Sequence, residues 1–209
     1  MQELGWQFEV RIKETPETMP PNLNRGEMAI HLAEMKAKEF DGTLNEQDLL
    51  ITADTIVCKE EDILNKPADE TEAVQMLTTL SGHKHEVYTG VCLSTSKRRI
   101  SFSVESSVYF KKISKEEIIN YIREFKPFDK AGSYGAQECL DKDYNPCSDA
   151  EIKFIAKIEI PTFFEKSLHD TIFQNKPLIE KIEGGYFNVM GLPVVELWEN
   201  VSKILSKKD

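Results

Sequence analysis

One aspartate in this chain sits where an aspartate should not be comfortable. Asp54 lies inside the run Leu49-Leu50-Ile51-Thr52-Ala53-Asp54-Thr55-Ile56-Val57, whose other members are nearly all apolar or β-branched. An ionised carboxylate is costly to bury unless a cation, a metal or several hydrogen bonds meet it. Such a group can accept a proton or hold a divalent cation, and a hydrogen bond to a neighbouring loop is the structural alternative. Other residues invite chemistry less strongly. His83 and His85 flank one lysine as a metal pair would, but two lone histidines are more often structural. Arg98-Arg99 has the composition of a phosphate clamp, yet it falls in a polar turn and reads as a solvated tip. Cys58, Cys92, Cys139 and Cys147 form no CxxC and no ligand spacing with the four histidines, so a zinc site is not expected.

The elements that must position these groups follow from periodicity and punctuation. Residues 8–12 alternate apolar and polar as a strand does, and the proline-rich stretch 14–21 is a loop. Over 25–40, Met28, Leu32, Met35 and Phe40 recur near helical spacing, with Lys36 inside the helix and Gly42 beyond its end. Residues 49–57 read as a strand buried on both faces. A helix opens at Asp69-Glu70-Thr71-Glu72 and stops at Gly82. Strands over 85–93 and 100–110 flank the turn 94–99 as a hairpin, and Ser114-Lys115-Glu116-Glu117 is a capping box for a helix that Pro127 cannot continue. Beyond 137 the pattern weakens, with short helices predicted over 149–155 and 177–182 and a longer one over 194–205. Strands interleaved with helices, one pair a hairpin, predict an α/β fold with a mixed twisted sheet and flanking helices.

Composition narrows the function. The chain has 209 residues, 40% of them apolar and 30% charged, enough for one catalytic domain over 1–209, and no window approaches the length of a membrane span. A formal net charge of -10 argues against a nucleic-acid partner, which needs a basic face. A small nucleotide remains compatible, since local charge governs such a site. The start shows no basic patch followed by an apolar stretch, and reduced thiols suit the cytoplasm, which is the expected location. A homodimer is left open.

Several runs, in this order, resemble the Maf family of nucleoside triphosphate pyrophosphatases: Leu32-Ala33-Glu34-Met35-Lys36-Ala37, Ala53-Asp54-Thr55-Ile56-Val57, Lys66-Pro67, the stretch 76–91, the run from Lys126 through Asp129-Lys130-Ala131-Gly132-Ser133-Tyr134-Gly135-Ala136-Gln137, and Gly185-Tyr186-Phe187-Asn188-Val189-Met190-Gly191-Leu192-Pro193. The resemblance covers nearly the whole chain except 141–177, which reads as an insertion. It implies an ITPase-like architecture and a reaction in which metal-activated water attacks the α-phosphorus of a nucleoside triphosphate, releasing a monophosphate and pyrophosphate. The chemistry agrees: hydrolysis at phosphorus needs a carboxylate to orient water or hold a metal, and cations to neutralise the phosphoryl oxygens. Asp54 is the expected carboxylate, Lys36 and Lys66 the expected cations, and Mg2+ or Mn2+ the expected cofactor. Glu17 matches by position the family's acidic residue beside the metal, with Glu14 as the alternative. The run from Asp129 and Lys130 to Gln137 resembles the dTTP and UTP type. There Gln137 reads a pyrimidine edge or holds a phosphate and its metal. A turn-closing ion pair is the structural alternative for Asp129 and Lys130, and Gly132 and Gly135 are expected to serve backbone geometry.

Maf proteins open with a strand and a serine-x-arginine-arginine loop expected to grip the substrate phosphates, and this sequence shows neither. Residues 2–10 match the end of the first helix and the strand after it, so an upstream stretch is expected to be missing. Without those arginines, whose bidentate geometry lysine does not reproduce, turnover is expected to be far slower than in a longer form. The alternative function is a non-catalytic nucleotide-binding regulator linked to septum formation, or an inactive truncated member.

Overall fold

The computed structural model describes residues 6–15, 19–158 and 177–206. In chain order the elements are helix α1 (Arg25–Lys38), strands β1 (Leu50–Lys59) and β2 (Asp62–Leu64), helix α2 (Glu70–Leu80), strands β3 (Lys84–Ser94) and β4 (Arg99–Phe110), helices α3 (Lys115–Phe125) and α4 (Asp149–Lys157), strand β5 (Ile179–Glu183), and helices α5 (Tyr186–Val189) and α6 (Val194–Ser206). The strands form one sheet in the order β2-β1-β3-β4-β5. All four pairings are antiparallel, so the parallel component expected of a mixed sheet is not found among the described residues, while the α/β layering is as expected.

Alternation along β3 sorts the helices into two layers. Gly90 and Cys92 face α1, whereas Val87, Val91 and Leu93 face the layer that holds the other helices. Ala29, Ala33 and Ala37, four residues apart on α1, are fully buried and let its backbone approach the sheet closely. The contact tolerates no side chain at Gly90, where a Cβ would stand 2.1 Å from the Ala29 carbonyl. Thr52 Oγ1 donates to the Ala33 carbonyl at 2.7 Å, pinning α1 to β1. The opposite layer carries the main core, with Leu77 and Leu80 of α2, Ile118, Tyr121 and Ile122 of α3, and Val108 and Phe110 of β4.

Helix boundaries follow their caps. Asn24 and Glu27 form a capping box on α1, Asp69 caps α2, and Ser114 with Glu117 form the box expected at α3. Two expectations fail at the sheet edges. Residues 8–12 form no strand: Val10 and Ile12 are 71% and 89% exposed, and alternation alone cannot satisfy a backbone that has no neighbouring ladder. Residues 177–182 form no helix, because β5 pairs with the free edge of β4 from Ser107↔Glu183 to Phe110↔Ile179. The hairpin turn is as expected, closed by Thr95 N–H donating to the Arg98 carbonyl at 2.8 Å. Arg99 is exposed as expected, but Arg98 is half-buried and is not part of a solvated tip. Arg98 donates to the Ile204 carbonyl at 3.2 Å in the last turn of α6, and Arg99 reaches Asp41 at 2.5 Å.

Candidate active site

An open cleft of about 310 Å3 is bounded by Asp54, Lys66, Asp129, Lys130, Gln137 and Gly191, drawn from β1, the loop between β2 and α2, the loop after α3 and the turn before α6. Asp54 stands opposite Gly90 in the β1–β3 ladder, at the point where α1 crosses. The side chain of Asp54 is 16% exposed and forms an ion pair with Lys36 of α1. That pair supplies the cation which the apolar run demanded. Lys36 stands behind the carboxylate rather than on the cleft wall. Asp129 and Lys130 pair at 3.0 Å, and the hydrogen bond from Lys130, assisted by the charge of Lys66, holds the Asp129 carboxyl below the usual carboxylate range. Lys66 therefore acts on the same space as the 129–137 loop.

That loop is fixed from beneath by buried hydrogen bonds. Gly132 has φ of +70° and packs on Val57, where a Cβ would stand 3.0 Å from a methyl group. Gly135 has an ordinary φ and is needed for space instead, since a Cβ would lie 2.5 Å from Glu138 Oε2. Tyr121 Oη accepts from Gly135 N–H at 2.9 Å and donates to Glu138 at 2.7 Å. Tyr134 Oη and His85 Nε2 lie 2.7 Å apart in full burial, with Phe110 edge-on to both rings. Burial pushes the His85 imidazole down to about 3, so it is neutral scaffold. His83 is exposed and borders a separate cavity beside Lys112 and Lys115.

The third side of the cleft comes from Val189, the last residue of α5, and from Met190 and Gly191 after it. Buried Asn188 anchors it, donating from Nδ2 to the Val87 carbonyl at 3.1 Å and to Ser106 Oγ at 3.0 Å. The Asn188 carbonyl accepts from Thr89 Oγ1 at 2.8 Å, and Thr89 lies 2.9 Å from Thr55 Oγ1. A hydroxyl carries one proton, so Thr55 is the donor to Thr89 and keeps its lone pairs for the cleft. Sequence reasoning gave Thr55, Thr89 and Asn188 no role. The available signal was an asparagine between Phe187 and Val189 within a motif already singled out. Glu17 lies outside the described residues, and Glu14, the alternative to it, is exposed. Among the described residues no group of three or more His, Cys, Asp or Glu could hold a metal by itself, and no helix is long and apolar enough to cross a membrane.

A family model described as Maf-like protein matches residues 1–142, and the chain belongs to that family. A protein of Parabacteroides distasonis named dTTP/UTP pyrophosphatase is 37% identical over 195 residues, 93% of this chain and 83% of its own length. A protein of the same name from Phocaeicola vulgatus is 39% identical over 202 residues, covering 96% and 87%. A third from Flavobacterium psychrophilum, again so named, is 44% identical over 137 residues, covering 66% and 70%.

Proposed function

We propose that this chain is a nucleotide pyrophosphatase that hydrolyses dTTP and UTP between the α and β phosphates. The observation that carries this reading is the meeting of Asp54, Lys66, Asp129, Lys130 and Gln137 around one cleft, in a chain whose relatives are named dTTP/UTP pyrophosphatase. Lys66 and Lys130 supply positive charge to the phosphoryl oxygens. Asp54, steadied by Lys36, orients the attacking water and takes its proton. Oxygen of water bonds to the α-phosphorus, the bond to the bridging oxygen breaks, and pyrophosphate leaves. Half-buried Gln137 offers both a donor and an acceptor to a pyrimidine edge.

A divalent cation fits the donor set. Magnesium is commonly held by one or two carboxylates together with substrate phosphates and water, and Asp54, Asp129 and the Gln137 carbonyl are hard oxygen donors on this cleft. Glu17 is proposed as a further donor. When bound, Mg2+ or Mn2+ would supply charge neutralisation and a more acidic water. A cytoplasmic location suits the free thiols of Cys58, Cys92, Cys139 and Cys147.

The test is a product assay over the common ribo- and deoxyribonucleoside triphosphates, with magnesium, manganese or chelator. Pyrophosphate from dTTP and UTP, lost with chelator, is the expected result. Orthophosphate as the only inorganic product would overturn the cleavage position, and equal turnover of all substrates would overturn the pyrimidine preference.

A further inference from the structure

We infer that Glu151 is a positioning residue for the cleft, and that the stretch 141–158 reaches the nucleotide site through it. Glu151 lies in α4, beyond the residues matched by the family model. It is a carboxylate only 3% exposed, and a buried charge of this kind is retained only where donors fully surround it. Four do. Oε2 accepts from Ser148 N–H at 2.8 Å, Ser148 Oγ at 2.9 Å and Tyr186 N–H at 3.0 Å, while Oε1 accepts from Phe187 N–H at 2.7 Å. Ser148 is the N-cap of α4, in which Glu151 is the third residue. Tyr186 and Phe187 belong to α5, whose next residues are Asn188 and the Val189, Met190 and Gly191 wall.

One carboxylate thus fastens the start of α4 to the start of α5, across 35 and 36 residues of chain. The Gly185 end of α5 has no side-chain cap of its own, so Glu151 takes the bonds that a local cap would otherwise satisfy. Asn188 then fixes the other end of α5 to β3 and β4. Held at both ends, the short helix presents Met190 and Gly191 at a set distance from Thr55, to which a Cβ on Gly191 would come within 3.3 Å. Two further contacts tie the same stretch down: Tyr144 Oη accepts from Ile182 N–H at 3.0 Å, and Phe154 meets Trp198 edge-on at 5.9 Å between ring centres. The substrate consequence rests on the cleft being the nucleotide site, whereas the bonds to Tyr186 and Phe187 do not.

Glu151→Gln keeps the size of the side chain but turns an NH2 group towards backbone N–H donors, loosening the wall without touching Asp54 or the cations. The KM for dTTP should rise roughly three- to tenfold while kcat stays within about twofold, the pattern of lost ground-state positioning. Ser148→Ala is the control: it removes the α4 cap and one of the four donors to Glu151 but leaves the Ser148 N–H, Tyr186 and Phe187 bonds, so it should lower the Tm with KM within about twofold of wild type. Hydrogen exchange on the wild-type protein without nucleotide gives a reading that needs no variant to fold. The Tyr186 and Phe187 amides should exchange as slowly as the β4 ladder, although the first N–H groups of an uncapped helix exchange freely. Fast exchange at both amides, or equal KM in wild type and Glu151→Gln, would overturn the proposal. Wild-type turnover in the same assay judges the nucleotide reading separately.

Discussion

The two sides of the cleft are built on opposite plans. Its lining is charged and partly open, with Asp54 16% and Asp129 78% exposed at the side chain and Lys66 and Lys130 around them. Its backing is neutral and closed, with His85, Thr89, Asn188 and Tyr134 all buried. Desolvating a charge is expensive and desolvating a paired neutral group is not, so the groups that would meet phosphate stay near water while rigidity comes from neutral hydrogen bonds behind them. Glu138 and Glu151 are the exceptions in the backing: Glu138 accepts from Tyr121 Oη, and Glu151 is surrounded by four donors.

The comparison breaks most visibly at Asp54. Asp54→Asn preserves the shape but neither accepts a proton nor binds a divalent cation well, so pyrophosphate release should fall by roughly a hundredfold or more. Stability should hardly change, because Lys36 is 30% exposed and can turn to solvent when its partner is lost. Turnover at the wild-type rate, in a variant shown by circular dichroism to be folded, would reduce Asp54 to a structural ion pair.

The backing should answer to pH instead. His85 is held down to about 3 from an ordinary 6.5 by burial, so between those values the unfolded chain binds a proton that the folded chain refuses. Stability is therefore complete above the higher value and falls as pH drops towards the lower one, by about 2 kcal/mol at pH 5 from this group alone. His85→Gln can keep a hydrogen bond to Tyr134 and does not titrate. Urea unfolding at pH 7 and pH 5 should show a smaller pH-dependent loss in the variant by about that amount, and identical losses would mean that His85 is not a neutral core group.

The charged lining was legible in the sequence and the neutral backing was not, for a physical reason. Asp54 stands out because eight neighbours make its polarity anomalous, and capping boxes such as Ser114 with Glu117 are written within one turn of chain. Asn188 and Thr89 meet across 99 residues and His85 and Tyr134 across 49, so no local pattern announces them. The sheet edges teach the same lesson. Residues 8–12 have the alternation of a strand without a ladder beside them, while Ile179 and Ile182 have a spacing that suits a helix and yet pair with β4, whose edge was open. Periodicity tells which face a residue shows, and only the tertiary partner decides whether a ladder forms.

Lys130 should give the smallest effect and the sharpest division between the two plans. Its pair with Asp129 joins adjacent residues at 3.0 Å, with Lys130 31% and Asp129 78% exposed. Solvent screens such a pair, so its contribution to folding should be within about 0.5 kcal/mol. If Lys130 serves the lining, Lys130→Met should leave the Tm almost unchanged and raise the KM for dTTP by roughly three- to tenfold, the loss of one charge-assisted contact to phosphate that Lys66 partly covers. The same change returns the Asp129 carboxyl towards its ordinary range, because the hydrogen bond that lowers it is gone; an NMR titration of Asp129 should move to higher pH. If the pair instead closes the turn as structure, the outcome inverts: Tm falls and KM holds. Paired measurements of Tm and KM on this one variant therefore decide between the two roles that the sequence had left open for Asp129 and Lys130.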